Sequence, residues 1–166
     1  MTKLGTEEAE QIIRRYSDMI FRIAVHNLGN TADAEDIMQD VCIKLLTKCP
    51  EQRDSEHLKA WLIRVTINKC NSLHRFMRRR NHASIEECVH LEAPEQNGVM
   101  EEIWQLPKDY RNIIYLYYYE SYTISEIAKI LDKNPNTVSS YLQRARKKLK
   151  DILTEGEDSH AHQPLH

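Results

Sequence analysis

The stretch Thr123-Ile124-Ser125-Glu126-Ile127-Ala128-Lys129-Ile130-Leu131-Asp132-Lys133-Asn134-Pro135 reads as a short helix, a tight turn and the first residue of another helix. Thr123 followed three residues later by Glu126 is a capping box, set just ahead of the apolar pair Ile127 and Ile130. Asp132 to Asn134 supply turn chemistry, with Asn134 able to cap and Pro135 suited to a first helical position. Beyond it Val138, Leu142, Ala145 and Leu149 recur at helical spacing, predicting a helix that runs to about Leu153. Ala128 is small where close helix approach is needed, and the second helix is basic. This is helix-turn-helix organisation, in which the second helix enters the major groove of duplex DNA.

Working towards the N-terminus, a helix is expected over Lys108–Tyr119, bounded by Leu106-Pro107 and Glu120-Ser121. Residues 81–97 lose all periodicity and contain Ala93, Pro94 and Glu95, which reads as an acidic linker. Before it lie three more helices. Ile12, Tyr16, Ile20, Ile23 and Leu28 mark one over Glu8–Leu28, with Gly29 at a left-handed C-cap. Ile37, Val41 and Leu45 mark a second over Asp33–Lys48, capped by Asn30 or Thr31. Leu58, Leu62, Val65, Leu73 and Met77 mark a third over Ser55–Arg79. The fold class is therefore all-α: two small helical domains, 8–80 and 99–153, joined by an acidic linker at 81–98 and followed by a mobile tail at 154–166.

The net charge of −2 conceals a strong pattern. Residues 56–82 carry 7 basic groups against 1 acidic, and 136–150 carry 5 against none. The segment 83–110 holds 1 basic group against 7 acidic. Two basic islands in an acidic chain suit two separate contacts with one polyanion. On the third helix Arg64, Asn68, Asn71, Arg75 and Arg78 share one face, with Lys69, Arg79 and Arg80 extending the field. That stripe spans roughly 20 Å at about 1.5 Å per residue. Trp61 could stack on a base, but its spacing fits a core position better. On the last helix Asn136, Thr137, Ser140, Tyr141 and Arg144 face outward and could reach base edges, Arg144 most naturally a guanine. Arg146, Lys147, Lys148 and Lys150 suit phosphates. Asp33, Asp36, Gln39 and Asp40 form an acidic face that would repel DNA, so it suits either a basic protein surface or solvent.

Other classes find less support. No apolar run reaches the roughly 20 residues that cross a bilayer, and Met1–Glu10 lacks the pattern of a signal peptide, so the cytoplasm is expected. Cys42, Cys49, Cys70 and Cys88 form no CxxC pair, and Cys42 and Cys70 fit small core positions. His74, His82, Cys88 and His90, or His160, His162 and His166, lack the spacing of a structural zinc site. There is no nucleophile motif and no phosphate-binding glycine loop, so neither an enzyme nor a cofactor nor a small-molecule substrate is expected. A stand-alone helix-turn-helix regulator would account for 123–150 but leave the acidic face and the first basic helix unused.

Three runs carry a family resemblance. Asp33-Ala34-Glu35-Asp36-Ile37-Met38-Gln39-Asp40-Val41 resembles the signature of the second domain of sigma-70 family proteins. Lys59-Ala60-Trp61-Leu62-Ile63-Arg64-Val65-Thr66-Ile67-Asn68 resembles its promoter-reading helix, and Thr137 to Arg146 resembles the recognition helix of the fourth domain. With only these two domains, the chain is similar to the extracytoplasmic-function (ECF) subgroup. The resemblance implies promoter-specific transcription initiation with core RNA polymerase, through its beta and beta-prime subunits, and control by an anti-sigma factor that could hold the chain at the membrane. It implies that Asp33, Glu35, Asp36, Gln39 and Asp40 bind the polymerase clamp. It implies that Trp61, Arg64, Asn68, Lys69, Asn71, Arg75 and Arg78, with the loop about Pro50 to Glu56, bind the unpaired minus-10 strand, Asn68 helping to hold a flipped base. Asn136, Thr137, Ser139, Ser140, Tyr141, Gln143, Arg144, Lys147 and Lys148 would meet the minus-35 duplex. Departures sit at Asp132 and Asn136, where relatives often carry Gly, and at Ser139 and Tyr141, where Arg or Lys is usual. Cys42 stands where an aromatic is typical.

Overall fold

The computed structural model describes residues 4–51, 54–81 and 100–160. Their order is α1 Thr6–Leu28, α2 Thr31–Lys48, α3 Ser55–Asn81, α4 Met100–Trp104, α5 Lys108–Ile114, a π-helical turn Tyr115–Tyr119, α6 Ile124–Leu131 and α7 Pro135–His160. The chain divides into two compact units, Met1–Pro94 and Glu95–His166. The linker expected over 81–98 lies, from residue 82 on, outside the described residues.

In the first unit α1, α2 and α3 pack on one another around Ile20, Ile23, Ala24, Ile37, Val41, Leu45, Leu58, Leu62 and Ile63, all buried. Burying each large aliphatic of this set contributes about 1.5–3 kcal/mol. Local chemistry sets the ends. Gly29 adopts φ 74 and its N–H donates to Val25 O, a left-handed stop that glycine takes without a Cβ clash. Asn30 then caps α2, its side chain accepting from the Asp33 N–H at 2.8 Å. Asp54 caps α3, accepting from the His57 N–H at 2.9 Å. Across the unit, His74 Nε2 meets the buried Asn27 carbonyl at 2.8 Å and ties the far half of α3 to the end of α1.

In the second unit the core holds Trp104, Leu106, Ile113, Ile114, Leu116, Ile127, Ile130, Val138, Leu142 and Ala145. Among them sits a cation. Arg111 is 5% exposed, donates from Nη1 to the carbonyls of Trp104 and Leu106 at 3.2 Å each, and lies over the Trp104 ring at 5.0 Å. Burial pushes its pKa down to about 10, still leaving it charged at neutral pH.

Four expectations need correction. Cys42 is half-exposed, and Cys49 is the buried one beside Cys70. The reason is register: Cys49 continues the four-residue rhythm of Ile37, Val41 and Leu45, whereas Cys42 falls one residue off that stripe. The helix expected over Lys108–Tyr119 widens into its π-helical turn, with Glu120 N–H bonding Tyr115 O at 3.2 Å. Leu73, Met77 and Leu149 are half-buried rather than core, each lying in the C-terminal half of a long helix. The last helix, expected to end near Leu153, runs on to His160, because no proline occurs before Pro164 and Gly156 costs only about 1 kcal/mol in a helix interior. Residues 161–166 lie outside the described residues.

Candidate nucleic-acid interface

The helix-turn-helix is built from its caps. Thr123 Oγ1 accepts from the Glu126 N–H at 3.2 Å, and the Glu126 carboxylate accepts from the Thr123 N–H at 2.8 Å. That backbone hydrogen bond, above all, holds the Glu126 carboxyl below its ordinary value. Asp132 closes α6 in the left-handed region at φ 53, a conformation that aspartate tolerates better than most residues. Asn134 Oδ1 then accepts from the Asn136 N–H at 2.8 Å, and Pro135 opens α7.

On α7 Val138, Leu142 and Ala145 turn inward. Asn136, Ser140, Gln143, Arg144, Lys147 and Lys148 are exposed, while Thr137, Ser139 and Tyr141 are half-buried. The Tyr141 ring lies 5.2 Å from the ring of Tyr110, with the Lys133 ammonium 5.8 Å from its centroid. Lys148 lies 5.6 Å from the Tyr110 centroid. Arg146, read from sequence as a phosphate contact, is engaged inside the unit: its Nε donates to Tyr118 Oη at 2.6 Å, and its guanidinium lies over the rings of Tyr117 and Tyr118 at 5.3 and 5.5 Å. The Tyr118 hydrogen bond raises its already high pKa.

On α3 Arg64, Asn68, Arg75 and Arg78 are exposed, and Trp61, Lys69 and Asn71 are half-buried. Lys69 Nζ reaches Asp40 Oδ2 of α2 at 3.5 Å, so one residue of the basic face and one of the acidic face are paired. On α2 Glu35, Asp36, Gln39 and Asp40 are exposed, whereas Asp33 is half-buried and accepts from Asn30 Nδ2 at 2.8 Å. Sequence reasoning missed the apolar continuation of this face. Ile43 is 59% exposed, and it lies seven, four and three residues beyond Asp36, Gln39 and Asp40. Leu46 is exposed one turn further on. The signal was available, for both residues fall off the Ile37, Val41 and Leu45 stripe.

At the loop before α3, Asp54 also pairs with the His57 ring, and the His57 backbone N–H is the main cause that lowers the Asp54 pKa. Among the described residues no cluster of His, Cys, Asp and Glu could hold a metal ion, and no helix is long and apolar enough to cross a membrane.

Comparison with known proteins places this geometry among related chains. The family model for sigma-70 region 2 matches residues 12–82, and the model for sigma-70 region 4 matches residues 97–149. The RNA polymerase sigma factor SigV of Bacillus subtilis is 28% identical over 140 residues, covering 81% of this chain and 84% of SigV. The ECF RNA polymerase sigma factor SigW of the same organism is 25% identical over 176 residues, covering 92% and 93%. In fold, the chain resembles the sigma factor RpoE of Bartonella quintana, solved in complex with the anti-sigma factor NepR, with a TM-score of 0.73 at 20% identity over 90% of this chain and 98% of that one.

Proposed function

The chain belongs to the sigma-70 family, as an ECF-type sigma factor, and from this premise we propose how its surfaces divide the work of starting transcription at chosen promoters. The acidic face of α2, chiefly Asp36, Gln39 and Asp40, docks on core RNA polymerase, and Ile43 and Leu46 add apolar area to the same contact. The exposed stripe Arg64, Asn68, Arg75 and Arg78 of α3 takes the unpaired minus-10 strand, with Trp61, Lys69 and Asn71 at its edges. The helix-turn-helix reads the minus-35 element as duplex: Asn136, Ser140 and Arg144 reach base edges, and Lys147 and Lys148 reach phosphates. Thr137, Ser139, Tyr141 and Gln143 line the approach. None of these tasks calls for a catalytic group.

The observation that carries the reading is the capped helix pair with α7 turned so that Val138, Leu142 and Ala145 are buried and Arg144 stands in solvent. An anti-sigma factor bound to the related RpoE supports control by such a partner here, either free in the cytoplasm or anchored in the membrane. The sharpest test is Asp36→Arg. It is expected to abolish run-off transcription and co-elution with core polymerase on gel filtration while leaving the helical content intact. Full co-elution of the variant would remove α2 from the docking surface.

A further inference from the structure

Exposed apolar side chains are common, but their neighbours differ in kind. Ile43 and Leu46 share their face with Asp36 and Asp40. Phe76, on α3, is 56% exposed among cations instead. Lys69 and Ser72 precede it by seven and four residues, and Arg79 and Arg80 follow by three and four, which puts all of them on its side of the helix. From His57 to Arg80 the helix carries no acidic residue at all. The Arg80 guanidinium lies 5.8 Å from the centroid of the Phe76 ring.

A ring more than half exposed keeps much of its apolar surface in water, where a partner could cover it. A surrounding field this positive repels basic protein surfaces and concentrates polyanions. Within a duplex the faces of the bases are already stacked on one another, so a protruding aromatic finds a free base face only where strands have separated. Stacking on an unpaired base uses the ring, and the flanking arginines use the phosphates, which is the composition of a single-strand binding surface. Phe76 lies eight residues beyond Asn68, about 12 Å along the axis at about 1.5 Å per residue, so it would take a different base.

We propose that Phe76, with Arg80 against its ring, is a stacking platform for an unpaired base of the opened promoter, an addition to the contacts made by Asn68 and the arginine stripe. The proposal rests on the reading of α3 as the minus-10 strand contact. The probe is a fork-junction DNA carrying the minus-10 sequence that the full chain with core polymerase selects from a randomised promoter library, with 2-aminopurine placed at successive unpaired positions. With wild-type protein one position is quenched by stacking at Phe76. Phe76→Ala is expected to restore that fluorescence and weaken fork binding by roughly 5- to 150-fold, while Phe76→Tyr retains both. Wild-type quenching and affinity in Phe76→Ala, with Arg75→Ala impaired, would overturn the platform but keep α3 on DNA. Unchanged fork binding in Arg75→Ala and Phe76→Ala alike would overturn the reading of α3 and the platform with it. Loss of core polymerase affinity in Phe76→Ala, with the quench intact, would assign the ring to a protein contact and overturn the proposal as well.

Discussion

In α3 the arginines at 64, 75, 78, 79 and 80 all stand exposed, and Lys69 pairs with Asp40 of α2. In α7 the cations lean on tyrosines from an earlier helix: Arg146 on Tyr117 and Tyr118, Lys148 on Tyr110. Formal charge is similar in the two basic islands, yet its availability is not. A guanidinium held by a phenol oxygen and two rings must give up part of that hold before it can turn to a phosphate. Exposed arginines spread along a long helix can instead follow a strand whose path is not fixed beforehand. The contrast says that counting cations estimates a field, while the aromatic neighbours decide which of them can still reach for a phosphate.

The contrast breaks most severely at Arg111, the cation on which the packing around α7 depends. Arg111→Met keeps an unbranched apolar stem, though a shorter one, but strips two buried carbonyls of a charged donor, and should cost on the order of 3 kcal/mol. Hydrogen exchange in the full chain should accelerate over residues 100–153 and stay as it was over residues 6–81; uniform protection would show that the buried guanidinium orders nothing. A smaller and more selective effect is expected of Arg144→Ala. It should weaken binding to a minus-35 duplex by about 1–3 kcal/mol and leave the affinity for an unpaired minus-10 strand unchanged, whereas equal losses on both probes would erase the division between α3 and α7. The smallest effect sharpens the contrast. Tyr118→Phe removes the oxygen that holds Arg146, so the freed guanidinium should neutralise one more phosphate and steepen the salt dependence of duplex binding by about 0.9 in log–log slope. An unaltered slope would mean that Arg146 serves DNA from where it is held.

Which features could be read from sequence follows from how far apart their partners lie. The Thr123 capping box, Gly29, Asn30 and the Asn134-Pro135 turn are settled within four residues of chain, and each forms as its local chemistry requires. The inward rhythm of Ile37, Val41 and Leu45, or of Val138, Leu142 and Ala145, is likewise legible because a helix repeats it. Arg111 was not legible. Between Tyr110 and Asn112 it looks like any surface arginine, and only the approach of the Trp104 and Leu106 carbonyls makes its burial bearable. The hold on Arg146 was not legible for the same reason, its hydrogen-bond partner lying 28 residues earlier in the chain. For the candidate surfaces the residue types were readable, but the Lys69–Asp40 pair, the exposed Ile43 and the arginine stacked on Phe76 depend on packing between helices or on which turns remain uncovered.

The wide turn over Tyr115–Tyr119 has one further consequence. It is closed by Tyr122 N–H on Leu116 O at 3.0 Å, around Ser121 at φ 60, so the chain carries one residue more than a regular helix would need to span the same rise. An α-helix turns by about 100° per residue. Deleting a single tyrosine here would therefore act as a rotation more than a shortening, turning the buried Ile113 and Ile114 of α5 relative to α7, on which α5 packs. A relative whose helix is regular at this place reaches the same packing with one residue fewer, so the alignment gap belongs inside 115–119 and not in the loop at 120–122, where length alone would put it.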